Sequence, residues 1–161
     1  MVSLGDGLTV SGERGLVKAK LLREGHARVH ALVFDVEDEA VSTLTSFAEE
    51  RQIEAAHFTA IGAFREAVIA FFDWETKSYE EIPVDEPVEV AAMTGNVARM
   101  EGAVRVHAHV VLGRRDGSAL AGHLVSGRVR PTLEMMFVEE RANIVRTIDE
   151  SSTLPLLDTG A

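Results

Sequence analysis

Apolar and polar residues alternate with a period of two over most of this chain, and one stretch alone shows the longer period of a helix. Residues 16–22 and 28–36 read as two strands joined by a turn at Glu24-Gly25-His26. The segment ARVHALVFDV carries apolar side chains at both parities, the pattern of a strand covered on both faces. His30 within it is expected to be packed and hydrogen-bonded, and His26 to sit in the turn. Residues 53–63 read as a strand closing on Gly62, with His57 among small apolar neighbours and therefore assigned to the core. Strands follow at 64–73, 78–84 and 88–94, then a break at Gly95-Asn96 and a turn over 99–102. Residues 132–139 form the last strong strand and 142–148 a weaker one.

The helical stretch is 38–51. Asp38 is its expected N-cap, with acidic residues opening the first turn, where the helix dipole favours them. Val41, Leu44, Phe47 and Ala48 make one apolar stripe, while Thr43, Ser46, Glu49 and Glu50 face away. Eight or nine strands in consecutive hairpins against one helix predict an α+β fold. The expected architecture is a single domain, with a strongly curved, mostly antiparallel sheet and one main covering helix. Residues 1–15, with four glycines, read as an N-terminal arm, 16–148 as the domain, and 149–161 as a polar C-terminal tail.

Composition narrows the partners. Sixteen lysines and arginines stand against 26 acidic residues, a formal charge of −10 in 161 residues. That opposes binding to a phosphate backbone, which works by releasing counterions to cationic side chains. The local basic candidates are Arg114-Arg115, read as a solvated loop tip, and Arg128 with Arg130. No apolar run reaches transmembrane length and no secretory signal is visible, so no membrane partner and a cytoplasmic location are expected. Cysteine is absent, which leaves histidine and carboxylate as the strong metal ligands.

Residues 106–124, VHAHVVLGRRDGSALAGHL, hold three of the six histidines. His107 and His109 are two apart, so in a strand both point to one face, roughly 6.5–7 Å apart. Arg115-Asp116-Gly117 suits a three-residue hairpin loop, with Gly117 in the left-handed conformation. A hairpin centred on Asp116 sets His109 directly opposite His123, with Cβ atoms about 5 Å apart. A two-residue Asp-Gly turn, or a bulge at Gly122, would send His123 to the other face. Three converging neutral imidazoles suit a divalent ion of the zinc kind with one open position. The metal ligands expected are therefore His107, His109 and His123.

Glu134 is the one carboxylate singled out, in a strand otherwise rich in Leu, Met and Phe. Burying it unpaired would be costly. Two readings stand side by side. In one it is a fourth ligand, a partner fixing a histidine tautomer, or a catalytic acid/base. In the other it faces solvent, since Glu134 and Met136 alternate with Met135 and Phe137. No dinucleotide-binding or phosphate-binding glycine motif is present, nor G-x-S-x-G, nor H-E-x-x-H.

The run His107-x-His109-x-x-Leu112, Asp116-Gly117, Gly122-His123-Leu124, Gly127 and Glu134 resembles the plants-and-prokaryotes-conserved (PPC) domain family. Ala60-Ile61-Gly62-Ala63 and Thr94-Gly95-Asn96-Val97 are similar to its recurring A-x-G-A and G-N segments. The match spans roughly residues 28–139. Ala121 departs from it, standing where the family has the first glycine of G-G-H-L. The resemblance implies a mostly antiparallel α/β domain that assembles as a homotrimer. It also implies the fold of acetolactate decarboxylase, whose zinc is held by an H-x-H pair and a later histidine. In plants the domain accompanies an AT-hook that binds DNA. Here Gly127-Arg128-Val129-Arg130-Pro131 carries a valine where that hook has glycine.

Three functions compete on this reading. The first is a metal-binding domain taking a small organic acid or carbonyl ligand, as an enzyme a metal-dependent lyase or hydrolase by fold analogy, which does not itself transfer a reaction. The second is a DNA-associated regulatory protein. The third is a non-catalytic trimeric assembly module.

Overall fold

The structure, a computed structural model, describes residues 17–160. The arm read over 1–15 lies outside the described residues. Nine strands and one helix follow in the order β1 (Lys18–Arg23), β2 (Ala27–Phe34), α1 (Ala40–Glu50), β3 (Ala56–Asp73), β4 (Ser78–Val84), β5 (Val88–Met100), β6 (Ala103–Gly113), β7 (Ala119–Glu140), β8 (Val145–Ile148) and β9 (Pro155–Asp158). This is the α+β domain expected, one helix against a large, curved, mostly antiparallel sheet. No helix among the described residues is long and apolar enough to cross a membrane.

Two long strands organise the sheet. β3 pairs with β5 along one edge and with β7 along the other, while β6 joins β5 to the start of β7. The circuit β3–β5–β6–β7 closes on itself, which forces the strong curvature. β2 and β1 extend the sheet beyond the second half of β7, and β4 flanks the second half of β3. The one parallel contact among the described residues is a bridge from β5 to β8 at Arg99 and Val145. β8 and β9 then form a terminal hairpin.

Strand parity decides what is inside. In β7, Leu133, Met135, Phe137 and Glu139 point to the core, and Glu134 and Met136 point out. Phe137 sits at the centre, edge-on to Phe47 of α1 at 5.6 Å and stacked on Phe58 of β3 at 6.4 Å between centroids. Leu44 and Phe47 give α1 its buried stripe, each worth about 1.5–3 kcal/mol on burial.

Several local expectations shift. The helix cap is Glu39, not Asp38: its carboxylate accepts from the Val41 and Ser42 amides, and also from Gly127 on β7. The acids therefore precede the first turn, and Thr43 is buried rather than facing away. The strands read at 53–63 and 64–73 are one strand. Gly95-Asn96 lies within β5 instead of breaking it. A Cβ at Gly95 would meet the His107 carbonyl oxygen at 2.3 Å and Phe58 Cζ at 2.5 Å, so the glycine marks a close approach. Residues 149–161 include β9. His57 is exposed, its neighbours Ala56 and Phe58 taking the core parity.

His30 is buried, as expected. Its Nε2 lies 3.4 Å from Glu139 Oε2, and Glu139 in turn is paired with Arg28. Burial lowers the His30 pKa more than the Glu139 carboxylate raises it, so the imidazole is held neutral.

Candidate metal centre

The β6–β7 hairpin takes the register centred on Asp116. Gly117 adopts φ +84°, the left-handed conformation the loop requires. Its amide donates to the Arg114 carbonyl at 2.9 Å, and the Arg114 amide to the Ser118 carbonyl at 2.8 Å. Asp116 Oδ1 accepts from both the Ser118 amide and its hydroxyl. No bulge interrupts the pairing at Gly122, and His109 lies directly across from His123. Ala108, Val110, Leu112 and Leu124 occupy the core parity, which leaves the three histidines together on the opposite face.

The rings meet there. Centroids lie 5.2 Å apart for His107 and His109, 5.1 Å for His107 and His123, and 5.6 Å for His109 and His123. One ring nitrogen from each falls within 4.8 Å of the other two. A tetrahedral set of zinc–nitrogen bonds puts nitrogens about 3.4 Å apart, so modest ring rotations close the set. His123 Nδ1 is buried with no hydrogen-bond partner, a lone pair or proton that costs free energy unless something meets it. Burial, the neighbouring His123 and the charge of Arg146 push the His107 pKa down to about 4, and burial likewise lowers that of His123. Both imidazoles are therefore neutral at pH 7, the form that donates to a metal. The donor set fits a borderline-soft divalent ion.

Other elements wall the histidine face. Tyr79 of β4 stacks on His123 at 4.8 Å between centroids. Asn96 of β5 is the cross-strand partner of His107, and its Oδ1 accepts from Arg146 of β8. Beside them is a cavity of about 190 Å³, lined among others by Tyr79, Arg105, His107, His123, Arg146 and Leu156. Burial lowers the Arg146 pKa.

Glu134 lies elsewhere. It is exposed, pairs in register with Val33 and Ile61, and lines a shallow hollow with Ile61, Thr132 and Glu89. None of the three histidines borders that hollow, and the carboxylate that β7 does bury is Glu139. Sequence reading missed Tyr79, Asn96, Arg105 and Arg146. Asn96 alone carried a signal, since it stands in the Thr94-Gly95-Asn96 segment noted above.

Residues 22–140 match the model of the Plants and Prokaryotes Conserved (PCC) domain, which confirms the resemblance read from the histidine motif. Among solved structures, the metal-containing protein from Archaeoglobus fulgidus is 32% identical, with a TM-score of 0.75 over 88% of this chain and 96% of that one. A Bacteroides thetaiotaomicron protein, described as a candidate DNA-binding protein, is 29% identical, with a TM-score of 0.81 over 89% and 99%. The plant- and prokaryote-conserved (PPC) protein of Pyrococcus horikoshii is 28% identical, with a TM-score of 0.77 over 89% and 95%. No curated protein sequence gives a match.

Proposed function

The chain belongs to the Plants and Prokaryotes Conserved domain family, and from that premise we propose that His107, His109 and His123 hold one divalent ion of the zinc kind, which receives a small organic acid or carbonyl compound. The observation that carries this is the approach of three ligand nitrogens to within 4.8 Å, one of them on a ring whose buried Nδ1 lacks any partner. When bound, the ion would polarise a carbonyl or carboxylate oxygen and acidify a bound water. The protein contributes orientation: the hairpin register aims His109 and His123 together, and Tyr79 fixes the His123 ring by stacking. The Archaeoglobus relative's description as metal-containing supports the same reading. Glu134 has no part in it within one chain.

Elemental analysis of purified protein tests the proposal. About one zinc-like ion per chain is expected, falling below about a tenth of that in His107→Ala and His123→Ala. A metal-free protein after refolding with excess zinc, or variants that retain the ion, would overturn it.

Homotrimeric assembly is part of the same proposal. Val33, Ile61 and Met136 are exposed, and cross-strand pairing sets them around Glu134 on one face of β2, β3 and β7, a largely apolar strip suited to a second copy. Light scattering at three times the chain mass is the expected result.

Association with DNA is the second reading. Arg65, Arg114, Arg115 and Arg130 line one hollow of about 500 Å³. Arg114 is paired with Glu86, and Arg65 with Glu37 and Glu66, so much of that charge is already spent. A gel shift that weakens steeply between low and high salt would favour it.

A further inference from the structure

The cavity beside the histidines has an unusual charge balance for so acidic a chain. It is lined by Arg105, Arg146 and two of the histidines, and, among the described residues, by no aspartate or glutamate. Arg146 is 8% exposed. Its Nη1 donates to the Pro155 carbonyl at 2.7 Å and its Nη2 to Asn96 Oδ1 at 2.5 Å, both uncharged acceptors. Its Nε is buried with no partner. No ion pair to Arg146 or Arg105 exists among the described residues. A guanidinium does not shed its proton to escape burial, and an unpaired buried charge is strongly unfavourable. A divalent ion on three neutral imidazoles would add further positive charge to the same space.

The rest of the wall selects among anions. Val106, Leu154 and Leu156, together with the Tyr79 ring, give one side an apolar surface. A free phosphate would leave that surface unmatched. A carboxylate on a short carbon body satisfies both sides, within a volume that admits a handful of heavy atoms.

The geometry points to Arg146 as the receptor for the carboxylate of a small organic acid, with Arg105 at the rim and the acid's carbon body against Leu154, Leu156 and Tyr79. This deepens the metal reading above and rests on it only for the ligand's second anchor. Arg146 is supplied by the β8–β9 hairpin, beyond the segment that matches the family model. Asn96 and the Pro155 carbonyl act as positioning groups, each holding one N–H of an Nη and leaving that nitrogen's second N–H for the ligand.

The test is calorimetric titration of the full chain, zinc-loaded and chelator-stripped, with butyrate, butyramide and inorganic phosphate. Nitrogen-edited NMR of the arginine Nε–H groups runs in parallel. Loaded protein is expected to bind butyrate at least about tenfold more tightly than butyramide, because the amide lacks the charge Arg146 requires. Arg146→Gln should lose about tenfold or more while keeping its zinc, and Arg146→Lys should recover part of the loss. Should Arg146→Gln fail to fold, Arg105→Gln on the rim should still lose several-fold. Butyrate should also shift a buried Nε–H resonance in wild type.

Equal affinity for butyrate and butyramide, or an unchanged Arg146→Gln, overturns the proposal, as does tighter binding of phosphate than of butyrate. If wild type holds no zinc yet binds butyrate in an Arg146-dependent way, the metal reading fails and the carboxylate receptor stands.

Discussion

The molecule buries His30 in one place and half-buries His107 and His123 in another, and the two sites are built on opposite principles. Around His30 a carboxylate is at hand: Glu139 faces both the imidazole and Arg28, and the rings of Phe47 and Phe137 close the space edge-on. Among the described residues no carboxylate lines the cavity beside His107 and His123, and Arg146 has no ion pair. Both sites lower histidine pKa values through burial. The first holds its own counter-charge inside a core, although Arg28 Nε there also lacks a partner. The second is complete only with something added. Burial alone does not separate structural from functional histidine; the difference lies in whether the charge nearby already has a counter-charge.

That contrast predicts unequal responses to mutation. Phe137→Ala should be the most damaging, about 3–5 kcal/mol by urea denaturation, because it removes the ring that His30, Phe47 and Phe58 share. Glu139→Gln should cost about 1–3 kcal/mol, since it strips the counter-charge from a cluster that needs it. A cost below about 0.5 kcal/mol would show that the cluster around His30 is not held by its charges.

Acid sharpens the comparison further. His30, His107 and His123 all have folded-state pKa values below the unfolded 6.5. Below pH 6.5 the unfolded chain therefore binds more protons than the native one, and stability falls with pH until the folded groups also titrate, near 4 for His107. In metal-free protein the slope of stability against pH between 6.5 and 4 should be shallower in His107→Ala than in wild type, leaving the His30 contribution in place. Identical slopes would break the assignment.

The smallest effect should come from Arg146→Met, a change within about 1 kcal/mol of wild type. The substitution loses two hydrogen bonds to neutral acceptors but also removes an uncompensated buried charge. A penalty of several kcal/mol would make Arg146 a structural residue like Glu139 and erase the distinction.

What could be read from the sequence was set by local chemistry. The hairpin register follows from three loop residues, so the meeting of His109 and His123 was legible before any coordinates. Strand parity supported one of the two readings of Glu134, the outward one, through Leu133, Met135 and Phe137. Carried two residues further, it also implied an inward Glu139. His57 was misplaced because small neighbours suggested a core, when parity with Ala56 and Phe58 assigned it to the outside. Gly95 read as a break because a glycine tolerated for crowding and one that ends a strand look alike in one dimension. Arg146 had no local signal at all. Its partner Asn96 is fifty residues away, and a single parallel bridge brings the two elements together.

The separation of faces on β6 and β7 has a bearing on how such a domain can change over time. Ala108, Val110 and Leu124 carry the core packing; the histidines interleaved with them lie on the other face, outside the core cluster. A lineage could therefore discard or exchange the imidazoles one by one without opening the core that keeps the chain folded. The architecture is free to outlive its chemistry, and a shared outline among relatives does not oblige them to share a task.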